Sequence, residues 1–384
     1  MKIADRVTNL PPYVFASLEK RLGAMRAKGV DVISLGIGSP DLAPPQFIVD
    51  ALYRSASRQD THGYAGYFGT PALRQAIAGY YQRRFGVEVD PNGEVLALIG
   101  SKEGLANMAF AFIDPGDLAL VPDPGYPTYS MGPLMAGGDS YPMPLLEDEG
   151  FLVDFGAIPN DVAAKATVLW LNYPNNPTGA AAPMAFLQEA VDYCREHDLV
   201  LCYDNPYCDL TFDGYVAPSI LEVPGAKDVA VEFNSLSKTY NMAGWRVGMA
   251  VGNAKAIQAL SVIKTNIDSG IFLPIQEAAT VALNGDQSWI AERNMIYQRR
   301  RDIVMGWLPK LGLTARPPKG ALYVWAKLPE GIDAETWATE MLEKAGVWLT
   351  PGSAYGECGK GYLRISLCTP EERLAEAGER LSNV

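Results

Sequence analysis

A chain of 384 residues with 48% apolar side chains has ample material for a large core, and its length predicts a soluble globular protein of two domains. Its 44 acidic and 32 basic residues give a formal net charge of −12 with no Lys/Arg block, which argues against nucleic acid or an anionic membrane surface as a partner. The five cysteines contain no Cys-x-x-Cys pair and only His62 and His197 are present, so neither a disulfide framework, a zinc site nor a Ser/His/Asp hydrolase is expected, and no metal is assigned. The start, Met1-Lys2-Ile3-Ala4-Asp5-Arg6, lacks an apolar signal core, and no apolar run nears the roughly 20 residues that span a bilayer, so a reducing cytoplasm is the expected location.

In chain order, residues 1–46 read as an N-terminal segment that packs with a small C-terminal domain, the Pro-rich stretch Pro40–Pro45 making the crossing to a large domain over 47–282. Helical patterns then alternate with short apolar runs: a helix at Pro71–Arg84, a strand at Val95–Ile99, a helix at Glu103–Phe112 and strands at Leu118–Val121 and Val168–Leu171. A helix at Pro183–Glu196 and strands at Val200–Tyr203, Val229–Phe233 and Val247–Val251 follow. This alternation predicts an α/β fold with a mainly parallel sheet covered by helices. Residues 283–384 change character, with a charged helix at Trp289–Leu308, apolar runs at Gly320–Trp325 and Tyr362–Leu367, and a helix near Thr336–Lys344, and they read as a smaller α+β domain.

Ligands of open α/β sheets gather at the carboxyl ends of the strands, and five clusters stand at such places. Gly100-Ser101-Lys102-Glu103-Gly104 joins a strand to a helix and suits an anion bound by the free N–H groups of Ser101 and Lys102; an ordinary Ser N-cap is the other reading. In Pro122-Asp123-Pro124-Gly125-Tyr126-Pro127-Thr128-Tyr129 two turns immobilise Tyr126, which then either stacks on a flat ring or only packs the turn. Asn172-Tyr173-Pro174-Asn175-Asn176-Pro177 offers Asn176 to a phenolic oxygen, or forms a simple Asx-turn. Asp204, at the end of an apolar strand with Tyr207 three residues on, needs a cationic partner once desolvated: a protonated pyridine nitrogen or a local arginine.

The fifth cluster, Asn234-Ser235-Leu236-Ser237-Lys238-Thr239-Tyr240, with Arg246 eight residues beyond the lysine, is the most informative. It combines an amine able to condense with an aldehyde, two hydroxyls and a guanidinium whose planar fork matches phosphate oxygens, as an aldehyde cofactor with a phosphate tail requires. A Ser-rich loop with a solvated lysine is the plain alternative for the motif alone.

With these five clusters in order along one sheet, the chain resembles the fold-type I pyridoxal-phosphate enzymes of aminotransferase class I/II over nearly its full length. The resemblance implies a seven-stranded-type sheet with helices on both faces, and pyridoxal 5′-phosphate held by Lys238 as a Schiff base. It assigns the phosphate to Ser101, Lys102, Ser235, Ser237 and Arg246, ring stacking to Tyr126, the ring oxygen to Asn176 and Tyr207, and the ring nitrogen to Asp204. It further places Gly38 and Asn176 close to the substrate, Arg364 on its α-carboxylate and Tyr13 over it, and it gives Tyr64 to the phosphate of a neighbouring subunit, which implies a homodimer with shared sites. Within the family the chain looks like the branch of LL-diaminopimelate, alanine and aspartate aminotransferases, so the expected activity is ping-pong transfer of an amino group between an L-amino acid and a 2-oxo acid such as 2-oxoglutarate. A C–S β-lyase on the same scaffold, or a non-catalytic effector-binding module, remains the alternative. From the residues alone, an arginine in a strand such as Arg364 usually faces solvent, and Tyr13 serves equally well as an apolar anchor.

Overall fold

The computed structural model describes residues 1–8, 10–11 and 22–384. Its strands in chain order are β1 (Ile33–Ser34), β2 (Val95–Leu98), β3 (Leu118–Asp123), β4 (Asp139–Pro144), β5 (Ala166–Asn172), β6 (Val200–Asp204), β7 (Ala230–Ser235) and β8 (Gly248–Gly252). They are followed by β9 (Thr314–Ala315), β10 (Tyr323–Lys327), β11 (Val347–Trp348), β12 (Thr350–Pro351) and β13 (Tyr362–Ser366).

Seven of these strands make one sheet in the order β2-β8-β7-β6-β5-β3-β4, parallel throughout except for β8, which runs antiparallel to both β2 and β7. Helices cover both faces, so the central strands are buried on both sides: β7 and β8 are buried at every position and β6 at all but its first. Parallel strands in that position read as uninterrupted apolar runs, which is why six of the seven are visible in the sequence within a residue or two. The seventh, β4, is the edge strand Asp139-Ser140-Tyr141-Pro142-Met143-Pro144; it is half exposed and carries two prolines, which only an edge tolerates, so nothing apolar marks it. Sequence reasoning also named no helix at Gln46–Ala56, Ala254–Ile267 or Leu273–Asn284.

A second, four-stranded antiparallel sheet has the order β12-β13-β10-β9, and β1 pairs in parallel with β11, Ile33 opposite Val347. One apolar cluster accordingly joins Ile33 and Leu35 to Val324, Val347, Leu363 and Ile365. This pairing carries the stretch from Gly36 to Ser39 across to the carboxyl ends of the large sheet, where it meets the loops after β2, β5, β6 and β7. Among the described residues no helix is long and apolar enough to cross a membrane.

Candidate active site

Sheet register brings the clusters together. Gly248 opens β8 opposite both Leu98 of β2 and Ser235 of β7, because β8 runs against its two neighbours. Residues just before β8 therefore sit on the same edge as residues just after β2 and β7. A cleft of about 360 Å³ opens there, lined by Gly38, Ser101, Lys102, Tyr126, Asn176, Asp204, Tyr207, Ser235, Ser237, Lys238, Arg246 and Arg364. Twelve of the residues expected at the site thus share one cavity. Tyr64 does not: it is 94% exposed and lies away from the cleft of its own chain. Tyr13 lies outside the described residues.

One end of the cleft is a cationic turn. Gly100, not Ser101, is the N-cap of the helix Ser101–Phe112; it has φ +73° and gives no side-chain cap, which corrects the Ser N-cap reading. A Cβ on Gly100 would stand 2.1 Å from an Nη of Arg246, and one on Gly248 would stand 2.5 Å from the backbone nitrogen of Ser101, so only glycines let the guanidinium and the helix start close on one another. Arg246 itself has φ +56° and is steadied by its Nη1, which donates to the Ala243 carbonyl at 2.9 Å. The first-turn N–H groups of the helix, its dipole and a guanidinium then converge, as an anion requires. Ser235 is already engaged, donating to the Val247 carbonyl at 3.2 Å and accepting from the Ser237 N–H at 3.1 Å.

At the other end Asp204, 5% exposed, accepts from the Tyr129 hydroxyl at 2.6 Å through Oδ2, while Oδ1 is buried without a hydrogen-bond partner. Burial pushes its carboxyl up to about 7, against the pull of Tyr129 and of the Lys238 charge. No arginine engages it among the contacts of the described residues, so the local-arginine reading gives way to one in which Oδ1 awaits a donor. Tyr129 is held in turn by stacking on Trp170, with ring centroids 5.4 Å apart, and it meets Tyr126 edge-on at 5.8 Å.

The Asn/Pro turn is an Asx-type turn that leaves Asn176 in the cleft. Asn175 makes the Asx-type bond to the Thr178 N–H at 3.0 Å, and Asn172 ties the turn to β6 by donating to the Asp204 carbonyl at 2.6 Å. Asn176 is left facing the cleft, its Oδ1 accepting from Arg364 Nη1 at 2.8 Å. Arg364 does not face solvent. It is 3% exposed, donates to the Gly36 carbonyl at 2.6 Å, and its guanidinium carbon lies 4.1 Å from the Tyr323 ring centroid and 4.7 Å from that of Tyr355. Arg364 lies in β13, paired with Trp325 of β10 on one side and Thr350 of β12 on the other.

Lys238, in the short helix Leu236–Thr239, points its Nζ at the Gly38 carbonyl, 2.6 Å away. A Cβ on Gly38 would fall 1.9 Å from the Tyr323 hydroxyl, so this position has room only for glycine. Tyr323 also shares a hydrogen bond with Tyr207 at 3.1 Å, and burial raises the Tyr207 phenol well above its usual range, which keeps it neutral. Tyr323, Tyr355, Tyr129 and Asn172 were not assigned from sequence. Tyr129 and Asn172 stand inside motifs that were read, whereas Tyr323 and Tyr355 come from the far part of the chain and carry no local signal.

The family model for aminotransferase class I and II matches residues 30–381. The chain belongs to the class I and II aminotransferases. Among curated relatives of this aminotransferase are the LL-diaminopimelate aminotransferases of Moorella thermoacetica, 51% identical over 100% of this chain and 98% of the relative, and of Dehalococcoides mccartyi, 50% identical over 100% and 99%. Among solved structures it resembles substrate-bound BacF from Bacillus subtilis, with a TM-score of 0.96 and 39% identity covering 100% of this chain and 98% of that one. A probable N-succinyldiaminopimelate aminotransferase from Thermus thermophilus is similar at a TM-score of 0.91 and 38% identity, covering 96% and 99%.

Proposed function

We propose that this aminotransferase binds pyridoxal 5′-phosphate in the cleft at Lys238 and transfers the amino group of LL-diaminopimelate to 2-oxoglutarate. The observation that carries the cofactor reading is the bare Oδ1 of Asp204: a buried carboxylate oxygen without a donor, at the opposite end of the cleft from a cationic helix start, matches a ring N–H at one end of a ligand and a phosphate at the other. Relatives 50–51% identical over 98–100% of this chain and named for that substrate support the choice of donor.

The bound cofactor supplies an electron sink for the carbanion that forms at the substrate Cα. The residues of the chain bind, orient and move one proton. Backbone N–H groups of Ser101 and Lys102, the Ser237 hydroxyl and Arg246 hold the phosphate, and Tyr126 stacks on the ring from a turn that fixes its angle. Asp204 pairs with the ring nitrogen, and charge on Asp204 is favoured once its Oδ1 receives that donor. Asn176 offers its Nδ2 to the ring oxygen beside Tyr207, since its Oδ1 is already turned to Arg364. Arg364 orients the α-carboxylate with a fork stiffened by two tyrosine rings. Lys238 Nζ then takes the Cα proton as general base. Tyr64, fully outside its own cleft, is assigned to the phosphate of a second subunit, and an active monomer in sedimentation would remove that assignment.

Single amino acids added to the cofactor-loaded protein test the reading. Loss of its visible band with LL-diaminopimelate, and its return on adding 2-oxoglutarate, is expected. A band that no amino acid discharges, with pyruvate released from cysteine-like compounds, would replace transamination by β-elimination. Arg364→Lys is expected to raise donor KM and to lower kcat/KM by roughly 10²-fold, because an ammonium cannot make the bidentate contact. Unchanged steady-state kinetics would remove Arg364 from the substrate.

A further inference from the structure

The long helix Trp289–Trp307 contributes no residue to the lining of the cleft, yet one of its side chains grips the backbone of Lys238. Arg293 is 3% exposed, and its Nη1 donates to the carbonyls of Lys238, at 2.7 Å, and of Thr239. Its Nη2 donates to the Asp209 carbonyl at 2.7 Å. Asn294 locks the arrangement: its Oδ1 accepts from Arg293 Nε at 3.2 Å and Nη2 at 2.8 Å, while its Nδ2 donates to the same Asp209 carbonyl at 3.0 Å. The Trp289 ring adds a cation–π face, its centroid 5.6 Å from the guanidinium carbon.

A helix of four residues has no backbone donors for its last carbonyls, so Lys238 and Thr239 need partners from elsewhere. A buried guanidinium is costly unless acceptors surround it, and here the acceptors it touches are main-chain carbonyls and an amide. The Asp209 carboxylate is taken by Arg84 at 2.8 Å and by Tyr80 at 2.6 Å. One cation therefore ties the loop after β6, which follows Asp204 and carries Tyr207, to the short helix after β7 that carries Lys238.

We propose that Arg293 is a positioning residue, which fixes the main chain of Lys238 relative to the loop that follows Asp204 and so aims the Lys238 amine at the cofactor aldehyde. The inference rests on the reading that Lys238 is the reacting amine. Methionine at this position fills the space but donates nothing, and lysine reaches one carbonyl where arginine reaches three.

The test compares two ligands on the cofactor-free protein. The Lys238 amine condenses with the aldehyde of pyridoxal phosphate, releasing water, and has nothing to condense with in pyridoxamine phosphate. Arg293→Met is expected to weaken pyridoxal phosphate by about 10-fold or more, as misaimed reacting groups do, while changing pyridoxamine phosphate by less than about 3-fold. Arg293→Lys should fall between. Parallel weakening of both ligands, or none, would overturn the proposal, and if Arg293→Met does not fold, an unchanged ratio in Arg293→Lys overturns it alone. Lys238→Ala serves as the reference: if it binds pyridoxal phosphate as the wild type does, the reading of Lys238 fails instead.

Discussion

Lys238→Ala is expected to lower kcat for transamination by about 10⁴-fold or more, since one substitution removes both the nucleophile that holds the cofactor and the base that moves the Cα proton. Its amine lies in the cleft against the Gly38 carbonyl, at the point where the loops after β6 and β7 face the N-terminal crossing. Lys102, the other lysine of the cleft, does not replace it. It starts from the helix after β2, and its Nζ lies 6.0 Å from the Tyr126 ring centroid. Steady-state turnover of LL-diaminopimelate with 2-oxoglutarate decides the matter, and a variant that keeps more than about a tenth of wild-type kcat would end the assignment.

The second large effect is expected at Asp204. Asp204→Ala should leave the cofactor bound through its phosphate end and nearly inactive, with kcat down by roughly 10²–10³-fold, because the ring nitrogen loses the charge that keeps it protonated. Wild-type turnover would sink this. The cofactor-free protein gives an independent check through pH. In the folded chain the carboxyl is raised from 3.8 to about 7, burial being the main cause. The folded state thus binds a proton between about pH 4 and 7 that the unfolded state does not, so stability from this group falls as pH rises through that window and the full cost is present above it. The cost is on the order of 4 kcal/mol if the carboxyl stays fully desolvated. Buried Glu232, also raised to about 7, adds a slope of the same sign, so the test is a difference. Thermal unfolding at about pH 5 and pH 8 should show a larger loss in the cofactor-free wild type than in Asp204→Asn, and equal losses would contradict the burial argument.

Local chemistry accounts for what was readable beforehand. Strands buried on both faces show as apolar runs whatever their partners, and the residues that end them show as Gly, Asn, Pro, Asp or Ser/Lys clusters because each turn needs its own backbone conformation. The stretch from Leu98 to Lys102 illustrates this: strand end, glycine with positive φ and helix start all lie within five residues. The edge strand β4 was missed for the converse reason, since its pairing with β3 is visible only once the sheet exists.

The kind of chemistry was therefore written in short segments of the chain: a lysine among hydroxyls, an acid closing an apolar strand, a helix start fit for an anion. Tertiary structure alone decided how these segments act on one another. It turned Arg364 inward between Tyr323 and Tyr355, left one oxygen of Asp204 bare while Tyr129 took the other, and placed Arg293 on the carbonyls of Lys238 and Asp209. Residues 55 or more positions apart make most of these contacts, and their burial depends on packing and sheet register, which no local pattern carries.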